Sequence, residues 1–191
     1  MKDFILPDAD YGTPASKSKE MVTLTVDGFA VTVPAGTSIM RAAKEAGISV
    51  PKLCATDSVE AFGSCRLCLC EVEGQNGLPA SCTTPVREGM VVHTESERLN
   101  RLRRNIVELY LSEQPAGDRA PESLQWLAKS LGLRQVRYPQ PSHRLDVVDR
   151  SNPFFTFDNA ACISCARCVR ACEEIQGTHA LTMLHRGFAS R

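Results

Sequence analysis

No stretch of this sequence is both long and apolar enough to span a bilayer, so a membrane-embedded chain is not expected. Net charge is missing too. The 22 lysines and arginines are balanced by 22 aspartates and glutamates, which leaves no long-range field to gather nucleic acid or an anionic lipid surface. Partners must then be recognised by local patches. Met1 to Gly12 carries Asp3, Asp8 and Asp10 and has neither a long apolar run nor a twin-arginine pair. It does not read as an export signal, and the expected address is the cytoplasm. Histidine is scarce: His93, His143, His179 and His185 fall outside the cysteine spacings, so surface or core roles are expected for them rather than ligation.

Cysteine is the residue present in excess. Nine occur, in two groups: Cys54, Cys65, Cys68, Cys70 and Cys82, then Cys162, Cys165, Cys168 and Cys172, with none between. In a reducing compartment clustered cysteines are more often metal ligands or redox centres than disulfides. Two sites are implied.

The length, 191 residues, suits one ordinary domain or two small ones. Residues 1–20 are polar and rich in Pro, Ser and Asp, which predicts a flexible N-terminal arm. Val22, Leu24 and Val26 alternate with polar residues, Asp27-Gly28 follows, and Phe29, Val31 and Val33 alternate again, the pattern of a hairpin. A helix capped by Thr37 or Ser38, filled by Ile39, Met40, Ala42, Ala43 and Ala46 and stopped by Gly47, comes next. Short strands near Glu71 to Glu73 and Val91 to His93 complete a small mixed sheet over residues 21–96. Residues 97–150 read as a helical linker. Its first helix, Glu97 to Leu111, places Leu99, Leu102, Ile106, Leu109 and Tyr110 on one face and Arg101, Arg103, Arg104 and Glu108 largely on the others, a solvated or docking surface. Pro121 to Leu131 is a second short helix. Residues 151–191 form a compact, cysteine-rich module. The fold class is α+β.

In the first cysteine group, Cys65 and Cys68 can bind metal from one tight loop, while Cys54 and Cys82 close the cage from other elements. Gly63 and Ser64 supply small residues and backbone N–H groups where a chain must fold round sulfide. These features favour an iron–sulfur cluster, with a four-thiolate zinc site as the alternative. Cys70 is expected to be a small buried hydrophobe. In the second group, two, two and three residues separate Cys162, Cys165, Cys168 and Cys172, the spacing of bacterial-type [4Fe–4S] ferredoxins. In two-cluster ferredoxins the fourth cysteine of that run serves the other cluster. Cys172 is therefore either recruited locally, or belongs to a longer assembly, or leaves a site for a partner to complete. Glu173 stands where a proline is usual.

The runs "VPAGTSIMRAA", "PKLCATDS", "FGSCRLCLCEVEG" and "PASCTTPV", with "NPFFTFDNAACISCARCVRACEEIQGTHALTMLHRGF" at the end, resemble the N-terminal iron–sulfur region of the alpha subunit of cytoplasmic NAD-dependent molybdenum or tungsten formate dehydrogenases. Related modules occur in the large iron–sulfur subunit of respiratory complex I and in diaphorase subunits of NAD-linked hydrogenases. The resemblance implies a beta-grasp [2Fe–2S] domain with Cys54, Cys65, Cys68 and Cys82 as ligands. It also implies a [4Fe–4S] cluster on Cys162, Cys165 and Cys168, with Cys172 assigned to a second one. Many relatives hold a further cluster on a histidine and three cysteines after the long helix. Here Gln114 occupies the histidine position and "SEQPAGDRAP" contains no cysteine, so that cluster is not expected. The implied function is an electron relay between a metal-pterin site and a flavin/NAD subunit, with no catalytic centre in this chain. A hydrogenase diaphorase subunit, a free-standing ferredoxin-like carrier and a zinc-stapled adaptor are the competing readings.

Overall fold

The structure, a computed structural model, describes residues 10–115, 120–138, 147–185 and 190. His143, residues 1–9 of the expected arm and residues 116–119 of the cysteine-free loop lie outside the described residues.

Strands β1 (Met21–Val26) and β2 (Phe29–Pro34) pair antiparallel from Met21↔Pro34 to Val26↔Phe29. Asp27 and Gly28 both take positive φ, 48° and 86°, the geometry a two-residue hairpin turn requires. Helix α1 (Ile39–Glu45) is capped by Ser38, whose Oγ accepts the Arg41 N–H. Strands β3 (Glu71–Val72) and β4 (Val91–His93) complete a sheet of order β2-β1-β4-β3, in which β1 and β4 run parallel. The inward residues of the hairpin, Leu24, Val26 and Val33, meet Ile39, Ala42 and Ala43 of α1. Each large apolar side chain buried this way contributes about 1.5–3 kcal/mol. This is the expected β-grasp arrangement, and the chain from 48 to 70 is irregular.

Helix α2 (Glu97–Ser112) starts at Ser96, whose Oγ accepts the Leu99 N–H, and α3 (Glu122–Ser130) packs on it. A two-stranded ribbon, β5 (Val148–Asp149) and β6 (Phe157–Asp158), precedes the last cysteine run. That run leads into a short helix α4 (Arg167–Arg170), continued by a π-helical turn over Ala171–Ile175.

Three expectations need correction. The arm is not loose from Asp10 onward. Asp10 receives N–H groups from Gly12 and Asp57 and pairs with Lys52, Thr13 Oγ1 lies 2.7 Å from Ser38 Oγ, and Arg41 donates to Thr13 O while stacking on Tyr11. Gly12 fixes the closest approach, since a Cβ there would sit 2.3 Å from Met40 Sδ. Polar composition hid this because the segment docks by hydrogen bonds.

The buried face of α2 also differs. Leu99, Arg103, Val107 and Glu108 are buried while Leu109 is exposed. Arg103 is completely enclosed because its guanidinium donates to the carbonyls of Leu67, Leu69 and Thr94 and pairs with Glu95. Glu108 is enclosed under Arg137, whose guanidinium holds its carboxyl below the usual carboxylate range.

Finally, the stretch after residue 97 is more than a linker. Val107, Leu124, Leu127 and Ala128 form a second core with Leu53, Cys54, Cys65 and Leu67.

Candidate iron–sulfur sites

The loop from Leu53 to Leu69 takes its shape from residues in left-handed conformations. Gly63 has φ +71° and Arg66 +59°, so successive N–H groups turn toward the sulfur atoms. A Cβ at Gly63 would also approach Thr83 Cγ2 to 3.2 Å. Arg103 binds the outer carbonyls of the same loop, at Leu67 and Leu69, and so ties it to α2.

Cys54, Cys65, Cys68 and Cys82 are brought together and buried. They stand as two pairs. The Cys65 N–H donates to Cys54 Sγ at 3.4 Å, and the side chains of Cys54 and Cys65 share a hydrogen bond. Cys68 Sγ and Cys82 Sγ are 3.4 Å apart. In each pair the shared hydrogen bond lowers one thiol, Cys54 to about 6 through Cys65 and Cys68 to about 7 through Cys82. Their partners Cys65 and Cys82 are pushed up by the same shared protons. Full ionisation of all four thus calls for a strongly positive centre.

Two thiol pairs suit two irons bridged by sulfide. The buried Ser81 Oγ, in the segment that leads into Cys82, has the Cys68 sulfur as its neighbour and helps to hold that thiol low, the kind of donor that a cluster's thiolate ligand takes.

Cys70 is buried within the β-grasp core, donates weakly to Pro79 O, and is pushed up to about 12 by burial. It behaves as an apolar side chain.

In the C-terminal module, Ser164 and Ala166 have φ of 53° and 55°, and the Ser164 N–H donates to Cys162 Sγ at 3.4 Å. Burial raises the Cys165 thiol, and the charges of Cys162 and Cys168 add to the rise. Cys172 is engaged elsewhere. Its Sγ lies 3.0 Å from Thr178 Oγ1 and accepts the Ala180 N–H at 3.2 Å, contacts that lower its pKa.

The modules touch at the cysteine loops. Ser64 Oγ donates to Ser164 O at 3.1 Å, the Glu60 N–H donates to Glu174 Oε2 at 2.7 Å, and Ile163 and Cys165 pack on the core that contains Cys54 and Cys65. Tyr110 stands among them, its hydroxyl pushed up first by burial and then by Cys65, Cys54 and Cys165. Sequence reasoning missed Tyr110, Arg103, Ser81 and Arg170. Arg170, the second arginine of "CARCVRAC", was the visible signal, because a charged residue on the helix leaving a cysteine run must face either solvent or the site.

Residues 19–97 match the model of a 2Fe-2S iron–sulfur cluster binding domain, and residues 152–191 match the ferredoxin-like domain of NADH-quinone oxidoreductase subunit 3. The chain is 35% identical over 183 residues to the mitochondrial NADH-ubiquinone oxidoreductase 78 kDa subunit of Candida albicans, covering 93% of this chain and 25% of that one. It is 37% identical over 183 residues to the NADP-reducing hydrogenase subunit HndD of Solidesulfovibrio fructosivorans, covering 89% and 31%. A chain of the crystal structure of an NAD+-reducing [NiFe]-hydrogenase in the H2-reduced state superposes with a TM-score of 0.78 at 33% identity, covering 89% of this chain and 73% of that one. The chain thus spans about a quarter to a third of these two curated relatives but most of the hydrogenase chain. With a [2Fe–2S] domain followed by a ferredoxin-like [4Fe–4S] domain, it belongs to the family of electron-transfer iron–sulfur subunits of NAD(P)-linked oxidoreductase complexes.

Proposed function

We propose that this chain passes electrons one at a time between a flavin subunit that handles NAD and a metal-containing catalytic unit, with Cys54, Cys65, Cys68 and Cys82 holding the [2Fe–2S] cluster and Cys162, Cys165 and Cys168 holding the [4Fe–4S] cluster. The observation that supports it most is the shared core: Cys54 and Cys65 pack in the same cluster of side chains as Cys165, with Tyr110 beside all three. Thiols of both sets thus pack against one shared core. When bound, the clusters supply reversible one-electron chemistry. The protein sets their potentials through burial and N–H donors to sulfur. Cys172, turned toward Thr178 and Ala180, is proposed to serve a site beyond these two.

At the catalytic end, the formate dehydrogenase reading implies a molybdenum- or tungsten-pterin partner acting in the cytoplasm. The hydrogenase reading has equal support, from the fold shared with the hydrogenase chain. Purification of the chain with its natural partners and measurement of bound metals decides between them. Molybdenum or tungsten together with flavin supports the first, and nickel with flavin the second. A preparation with zinc and no paramagnetic iron on reduction would sink both.

A further inference from the structure

Arg170, at the end of α4, is 7% exposed and reaches out of its own module. Nη1 donates to Glu60 O, Nη2 donates to Cys54 O at 2.8 Å, and the guanidinium stands 6.0 Å from the Phe62 ring centroid. Nε is buried without a hydrogen bond. Among the described residues no carboxylate pairs with it, and Glu174 is engaged with the Glu60 N–H instead. Arg103 is buried as well, but has Glu95 at 2.9 Å.

A buried cation facing only neutral acceptors is costly unless a negative group lies within range. The acceptor it holds is the carbonyl of Cys54 itself, one of the four thiol residues.

We propose that Arg170 is the electrostatic partner of the [2Fe–2S] centre, its fixed charge delivered across the module boundary to raise that centre's affinity for an electron. This rests on the ligand assignment above. Such a centre on four thiolates is net negative and gains one more negative charge on reduction, so a nearby cation stabilises the reduced form more than the oxidised one. At an intermediate effective dielectric a fixed charge of this kind is worth about tenfold in electron affinity, equal to about 59 mV for a one-electron couple. Because the charge sits on the helix that leaves Cys168, the electron affinity of one site depends on how the other module is docked.

The test is a redox titration of the reduced [2Fe–2S] electron paramagnetic resonance signal in the full, reconstituted chain, comparing wild type, Arg170→Gln and Arg170→Lys. Gln is expected to lower the midpoint by about tenfold in electron affinity, with g-values unchanged. Lys, keeping the charge, should stay near wild type. Failure of Gln to load while Lys loads with a wild-type midpoint also supports a role for charge. Wild-type midpoints in both variants, equal shifts in both, or equal loss of loading in both would overturn it in favour of packing alone. Cys54→Ser and Cys65→Ser run alongside: a wild-type signal in those would fail the ligand assignment, whatever Arg170 does.

Discussion

The two cysteine sets solve the same problem with different amounts of protein. Cys54, Cys65, Cys68 and Cys82 come from well-separated points on the chain and are buried between two cores, with Cys68 and Cys82 in the β-grasp core and Cys54 and Cys65 in the helical one. Cys162, Cys165 and Cys168 come from one turn, the first two half-buried and the third exposed. The first cage is held by tertiary structure and the second by local backbone geometry. A tertiary cage excludes water and oxygen and is sensitive to distant changes in packing. A local one is assembled easily and protected poorly.

The largest effect should come from breaking the buried cage. Cys65→Ser should abolish or strongly alter the [2Fe–2S] paramagnetic signal on reduction, while the [4Fe–4S] signal survives, because the second set does not depend on that loop for its ligands.

Next, air exposure of the chain alone should convert the C-terminal signal to a three-iron form before the [2Fe–2S] signal decays. Three thiols grouped together with Cys172 turned away leave one corner unprotected. A [4Fe–4S] signal that resists oxygen and is lost in Cys172→Ser would show that Cys172 closes the site locally.

Arg103→Met tests the tertiary scaffold with every cysteine in place. It strips three buried carbonyls of their donor and leaves Glu95 unpaired, so denaturant unfolding should show a loss of about 3 kcal/mol. The [2Fe–2S] cluster should be released at lower denaturant than the C-terminal one.

The smallest effect is expected at Cys70. Cys70→Ser should keep the [2Fe–2S] signal and lower stability by about 1–2 kcal/mol through a poorly satisfied hydroxyl in the core. Loss of the signal would place Cys70 among the ligands.

The features legible in the sequence were those that local chemistry dictates. Asp27-Gly28 announced its hairpin, Thr37-Ser38 the start of its helix, and the two cysteine spacings two groups of thiols. The buried face of α2 was misjudged because hydrophobicity ranks an arginine as solvent-facing, whereas Arg103 is enclosed by carbonyls more than 30 residues away in sequence, at Leu67 and Leu69. The docked segment from Asp10 was missed for a related reason, since its partners Ser38, Lys52 and Asp57 are distant in sequence and polar. The contact between the modules, Ser64 with Ser164 and Arg170 with Cys54, joins positions 100 and 116 residues apart, and no periodic pattern records such pairs.

The docked segment also bears on where this domain can be cut and recombined. The family match starts at residue 19, yet the folded unit already includes Asp10 to Ser16. A chimaera joined at the family boundary would uncover Met40 beneath Gly12 and release Lys52, two positions before Cys54, from its carboxylate. Exchanges of this domain between relatives should therefore carry the stretch from Asp10 with them, since it acts as a clasp on the loop that presents the first thiol.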